Sequence, residues 1–356
     1  MTRRTAALFP ILLLLLSVTF LPVEAVAGPA GSWTVPEKNL PLPAAASQSF
    51  RKALAAGPAP DLGSALKTVP ASKQEWLTLI AKRRSRMAKT AVELAKNYGV
   101  IIRSGTISGV PVRYLYPKDI ANRNRNFVFL HLHGGAYVFN GGVAGIYEGV
   151  LIAARARIQV LSVDYRMPPE HPFPAALDDV IQVYRKLIKE KLHRRIAMGG
   201  SSAGGGLTLA AVLKFKELGL PLPGALFLGT PWADLSKTGD TLNTNEGIDH
   251  ILVSYDGLIK AAARLYAGKH DLKNPLISPL YGDFREFPPC YLVSGTRDLL
   301  LSDTVRVHRK LRQAGVTAEL NVFEGLSHAD YIFAAQSPES KEVYDGLGAF
   351  LSQHLQ

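Results

Sequence analysis

The 356-residue sequence predicts an α/β fold: a mostly parallel central sheet flanked by helices and carrying a helical cap. Three observations carry that prediction. From about residue 99, short apolar runs rich in β-branched residues recur between turn residues, as buried strands do. Helical stretches alternate with the later runs, so successive strands cross over and lie parallel, with helices on both faces. The one long interruption, 233–287, holds Asp, Asn, Gly and Pro turns around a helical piece at 254–266, and a cap fits there.

Taken in order, the first segment stands apart. Arg3 and Arg4 precede the apolar stretch 6–21, and Ala25-Val26-Ala27 offers small residues for cleavage. That is the layout of a secretory signal peptide over residues 1–27, and the stretch is shorter than the ~20 residues a spanning helix needs. The mature chain is therefore expected to be secreted or periplasmic, with no stable membrane insertion once the signal is gone. Residues 28–98 read as an arm rich in Pro, Ala and Gly with cap helices, at 47–56 and 73–97. The main domain, 99–356, has expected strands at 100–103, 110–116, 127–132, 158–164, 196–198, 225–228, 290–294 and 318–323. Expected helices cover 175–192, 203–218, 302–314 and 339–353.

Composition narrows the function. A 47% hydrophobic chain of this length buries a large core. The net charge of +12 is scattered over clusters such as Lys82-Arg83-Arg84-Ser85-Arg86 and His193-Arg194-Arg195, which read as solvated faces. No nucleic-acid-binding motif accompanies them. Cys290 is the only cysteine, which excludes an intrachain disulfide, and its run Cys290-Tyr291-Leu292-Val293-Ser294 marks it as a small core residue. No His or Cys spacing suggests a metal site, and the sequence is compatible with a homodimer.

Four short segments carry the chemistry. Gly200-Ser201-Ser202-Ala203-Gly204 follows a short strand and opens a helix, so Ser202 would occupy a sharp turn that crowds its neighbours and calls for glycine at 200 and 204. Ser201 competes as nucleophile, but Gly199 and Ala203 flank it less well. A serine hydroxyl needs a base to take its proton, and His328, in a loop after the strand at 318–323, is the candidate. Asp298, ending the run 291–296, would orient the imidazole, with Asp303 as the rival carboxylate. His133-Gly134-Gly135-Ala136-Tyr137 directly follows a strand. The amides of Gly134, Gly135 and Ala203 are the candidate oxyanion donors, with His133 holding the loop. Tyr137 and Trp232 are the candidate pocket residues.

The order Ser, Asp, His and these motifs make the chain resemble the hormone-sensitive-lipase branch of α/β-hydrolases, the microbial esterases carrying HGGG and GDSAGG. The similarity runs from about residue 40 to the C-terminus. The stretch from Asp164-Tyr165-Arg166-Met167-Pro168-Pro169-Glu170 to Ala176 is similar to the family's DYRLAPEHPFPAA, which buttresses the oxyanion loop. Pro231-Trp232-Ala233-Asp234-Leu235 and Ser278-Pro279-Leu280 also have counterparts. The resemblance implies a carboxylesterase acting through an acyl-enzyme on a small-molecule ester of short or medium chain. It also implies the absence of a metal or organic cofactor, and a helical cap over a mostly apolar pocket. Some relatives hydrolyse lactones, N-acetyl groups or formamides, and related plant hormone receptors only bind but lack the base. Two positions depart from the pattern: Ala136 stands for the third glycine, and Ser201 for the aspartate beside the nucleophile.

Overall fold

The computed structural model describes Gly31, Val35, Glu37 and residues 39–356. The signal-peptide stretch, 1–27, lies outside the described residues. The chain divides into two units, Met1–Pro41 and Leu42–Gln356, and the second holds every element below.

Its strands are β1 (Ile101–Ile107), β2 (Val110–Tyr116), β3 (Val128–Leu132), β4 (Gln159–Val163), β5 (Ile196–Ser201), β6 (Ala225–Gly229), β7 (Cys290–Gly295) and β8 (Ala318–Phe323). They form one eight-stranded sheet in the order β1-β2-β4-β3-β5-β6-β7-β8. The β1–β2 and β2–β4 pairings are antiparallel and the rest parallel. From β3 the chain passes to β4 on one side and then to β5 on the other. The carboxyl ends of β3 and β5 therefore flank a topological switch point, where open α/β sheets bind ligands.

The seven expected helices become eleven among the described residues: α1 (Gln48–Ala56), α2 (Leu62–Lys67), α3 (Lys73–Tyr98), α4 (Tyr147–Ala156), α5 (Ala175–Glu190) and α6 (Ala203–Glu217) come first. They are followed by α7 (Thr241–Thr244), α8 (Lys260–Ala267), α9 (Leu301–Gln313), α10 (Asp330–Phe333) and α11 (Pro338–His354). Side chains alternate across the strands, so each strand feeds two cores. Leu130, Met198 and Leu226 enter one cluster, while Phe129, Ala197 and Phe227 enter the other. Strands β3, β5, β6 and β7 are buried along their whole length, which is why their sequences are largely apolar runs.

Several expectations needed correction. The expected helix at 254–266 is broken: Asp256 and Gly257 have non-helical angles, Gly257 at φ 117°, and the regular helix begins at Lys260. Four helices, α2, α4, α7 and α10, were absent from the sequence-based expectation. Helix α3 is well fixed at both ends. The Ser72 hydroxyl accepts the Glu75 amide hydrogen, the Glu75 carboxylate accepts from the Ala71 amide, and Gly99 closes the helix at φ 66°. Among the described residues no helix is long and apolar enough to cross a membrane.

Candidate active site

The turn after β5 places Ser202 at φ 59°, ψ −125°, a left-handed conformation that a serine adopts only when its surroundings impose it. The surroundings are visible. The Ser202 amide donates to the Gly229 carbonyl at 2.8 Å, and the Ser202 carbonyl accepts from Trp232 and Gly206. A Cβ on either Gly200 or Gly204 would run into the Leu132 carbonyl oxygen, so both glycines are dictated by how closely β3 approaches the turn. Ser202 is half-exposed and lines a cavity of about 940 Å³, together with His133, Gly134, Gly135, Trp232 and His328.

Ser201, one residue earlier, has different surroundings. It is buried, its hydroxyl bonds to Glu148 Oε1 and lies 2.6 Å from the Tyr331 hydroxyl, and its amide donates to Glu148 Oε2 at 3.0 Å. A Cβ on Gly229 would strike the Ser201 Oγ, which places that hydroxyl against the sheet. Its hydrogen bonds therefore serve packing beneath the turn.

The base and acid are joined. His328 Nδ1 lies 3.0 Å from Asp298 Oδ1, with both side chains buried. Asp298 Oδ2 also accepts the Thr230 hydroxyl and, at 2.7 Å, the Ser294 hydroxyl, while Oδ1 accepts the Leu300 amide hydrogen at 2.8 Å. Burial alone would raise the Asp298 pKa, but His328 and these donors outweigh it and hold the pKa below the usual carboxylate value. For His328 burial works against the charge, and the Asp298 carboxylate outweighs it, so its pKa is raised. Asp303 is elsewhere: its Oδ2 accepts the amide hydrogens of Ala233 and Asp234 at 3.0 and 2.8 Å.

The loop after β3 packs against the turn. A Cβ on Gly134 would stand 2.8 Å from the Ser201 carbonyl oxygen and 3.4 Å from the Ser202 Cβ, so the backbone of this loop meets the Ser202 side chain directly. Gly135 has φ 123°, and its carbonyl accepts from Val138 and Phe139. His133 is stacked on Tyr165 at 4.2 Å, and the Tyr165 hydroxyl donates to the His133 carbonyl at 2.5 Å. Burial drives the His133 pKa down to about 4, so the ring is neutral and acts as a packing element of the loop. The segment containing Tyr165 does buttress the loop, and Asp164 extends the support by accepting the Gly142 amide hydrogen at 2.7 Å. Ala203 opens α6 directly after Ser202.

The two candidate pocket residues separate. Trp232 lines the cavity, whereas Tyr137 does not. Tyr137 is buried in the core and stacks on Tyr266 at 3.9 Å. Three further residues hold the site and escaped the sequence reading. Besides Thr230 and Glu148, Asp249 in the cap accepts the Leu299 amide hydrogen at 2.8 Å and the His328 amide hydrogen at 3.3 Å, tying the acid loop to the base loop. A lone Asp among cap turns carries no sequence signal for that role.

Comparison with known proteins agrees with this geometry. A family model described as the alpha/beta hydrolase fold matches residues 129–332. The chain is similar to the crystal structure of an esterase, E25, at 48% identity and a TM-score of 0.90, covering 91% of this chain and 99% of that one. It is 32% identical to an acetyl-hydrolase of Streptomyces hygroscopicus over 223 residues, 62% of this chain and 74% of the relative. A hormone-sensitive lipase from a metagenome library aligns at 29% identity with a TM-score of 0.72, covering 78% of this chain and 92% of that one.

Proposed function

Because the chain belongs to the α/β-hydrolase fold family, in its hormone-sensitive-lipase-like branch, we propose that Ser202, His328 and Asp298 hydrolyse esters through an acyl-enzyme. That the chain is a serine ester hydrolase follows from the family and the paired acid and base. The roles assigned to individual residues are the further step. The observation that carries them is the strained Ser202 turn opening into the same cavity as His328 and the Gly134-Gly135 loop.

In this reading His328 Nε2 takes the Ser202 hydroxyl proton as Oγ attacks the carbonyl carbon. The new oxyanion is met by amides of Gly134, Gly135 and Ala203, fixed before the reaction begins and worth most in a site shielded from water. His328 then passes the proton to the departing alcohol. Water, deprotonated by the same imidazole, attacks the acyl-enzyme, releases the acid and restores Ser202. Asp298 keeps Nδ1 protonated and stabilises the imidazolium.

A cavity of about 940 Å³, lined in part by apolar cap residues such as Leu252, Val253 and Leu258, supports short- to medium-chain acyl groups. A panel of p-nitrophenyl esters from acetate to palmitate tests this: kcat/KM should peak at or below about eight carbons, and a maximum at palmitate contradicts it. An ε-lactone and an N-acetyl amine belong in the same panel, since the name of one relative refers to acetyl groups. The N-terminal layout supports export with removal of the first 27 residues, which sequencing the N-terminus of the mature protein checks.

A further inference from the structure

The cavity wall contributed by α3 is basic. Arg83, Arg86, Met87 and Thr90 all line the cavity, and their i, i+3, i+4, i+7 spacing puts them on one stripe of the helix. The basic cluster 82–86 is exposed throughout, as a solvated face is, and two of its members, Arg83 and Arg86, also border the cavity.

Arg83 is anchored beside the oxyanion loop. Its guanidinium carbon lies 4.6 Å from the centre of the Phe139 ring, and the Phe139 amide donates to the Gly135 carbonyl at 2.8 Å. Trp76 packs against the same ring at 6.1 Å. Stacking fixes the guanidinium without using its N–H donors. Among the described residues, neither Arg83 nor Arg86 has an ion pair or a side-chain hydrogen bond to protein.

The acidic residues of the cavity do not neutralise them. Asp61 accepts the amide and hydroxyl hydrogens of Ser64 as the cap of α2. Glu148 is held by the Ser201 amide and hydroxyl. Partial desolvation against its neighbours lowers the Arg83 pKa, the direction expected of a cation with no anion beside it, yet a guanidinium stays charged at neutral pH. The cap contributes an apolar part of the lining, with Leu252, Val253, Leu258 and Ile259.

We propose that the natural substrate is an ester bearing an anionic group, a carboxylate or comparable oxyanion, which Arg83 and Arg86 receive while the apolar side takes the rest. This deepens the esterase reading and rests on it. Guanidinium groups pair with carboxylates through two parallel hydrogen bonds, and the free donors of Arg83 meet that requirement. An anion held at a distance from the reacting carbonyl stabilises ground state and transition state alike, so its main signature is in KM.

The test compares initial rates on monoethyl succinate, an anion, with those on neutral diethyl succinate. Using the ratio of the two kcat/KM values cancels effects common to both. Arg83→Gln combined with Arg86→Gln should lower the anion-to-neutral ratio at least tenfold, mainly through KM, and Arg83→Lys with Arg86→Lys should restore part of it. In the wild type, 0.5 M NaCl should lower the same ratio by screening the charges. A ratio within twofold of wild type in the Gln variant, or a wild-type ratio indifferent to salt, overturns the proposal. The salt arm holds even if a variant fails to fold. Failure of the esterase reading has its own signature, no turnover of diethyl succinate and no fluorophosphonate adduct, and the substrate proposal falls with it.

Discussion

Glu148 accepts the main-chain amide hydrogen of Ser201 at 3.0 Å and the hydroxyl of the same residue, locking the underside of the nucleophile turn from helix α4. Relatives resembling this chain carry an aspartate at that position. Here a serine stands between two buried groups, Glu148 and Tyr331, and both claim its hydroxyl. Ser201 therefore braces the turn from beneath, and Ser202 lines the cavity.

Exchanging the two serines separates bracing from chemistry. Ser201→Ala leaves Glu148 and Tyr331 short of a buried partner, at a cost of about 1–3 kcal/mol. Thermal melting should show a drop of several degrees, while the purified variant still forms an adduct with a fluorophosphonate. Loss of the adduct in a well-folded Ser201→Ala protein contradicts the division of roles.

The acid–base pair predicts a pH profile. His328 must be neutral to accept the proton, and its pKa is raised, so kcat/KM should climb through an apparent pKa above the ordinary histidine value of about 6.5. Asp298→Asn should cut kcat by about 10⁴-fold and move the limb to lower pH, because the charge that raised the pKa is gone. The stability sign runs with it. The raised His328 contributes stability that is full below its unfolded pKa and lost as pH rises through the folded one. The lowered Asp298 contributes stability above its unfolded pKa, lost as pH falls through the folded one. Melting temperatures across pH 3 to 9, wild type against Asp298→Asn, check both limbs.

Asp303 predicts the reverse behaviour. Burial first, and then the neighbouring Asp234, raise its pKa to about 8. A carboxyl whose folded pKa is raised binds a proton that the unfolded chain has released, so its stability contribution declines as pH rises from about 4 toward 8. Asp303→Asn keeps an oxygen to accept the Ala233 and Asp234 amide hydrogens and removes that titration. Relative to wild type, the variant should gain melting temperature on going from pH 5 to pH 9; a constant difference contradicts the assignment.

Gly135→Ala addresses the oxyanion loop. A Cβ there would lie 2.6 Å from the Phe139 carbonyl oxygen on a backbone at φ 123°, so the loop must shift. Displacing one donor costs about 10²–10³ in kcat. Stopped-flow acylation with p-nitrophenyl acetate should show that loss in the burst rate.

Much of this was legible in the sequence because the constraints are local. Gly200 and Gly204 answer to one carbonyl, that of Leu132, and glycine on both sides of a serine after a strand announces the turn. The interior strands read as apolar runs because both faces are covered. What escaped notice depends on long-range contact. Glu148 lies in a helix hidden between glycine-rich turns, and its partner is 53 residues away. Thr230 and Asp249 act on residues 68 and 50 positions distant. Tyr137 adjoins the oxyanion loop in sequence yet turns into the core. Arg83 and Arg86 were hidden in a charge run, where helical spacing could mark the stripe but not the cavity it faces.

Mapping the covalent adduct tests the central claim most directly. The wild-type protein is treated with a fluorophosphonate, digested, and the modified residue located by tandem mass spectrometry. Ser202 should carry the modification, and Ser202→Ala should abolish it. An adduct on Ser201 or any other residue, or one that persists in a folded Ser202→Ala protein, contradicts it.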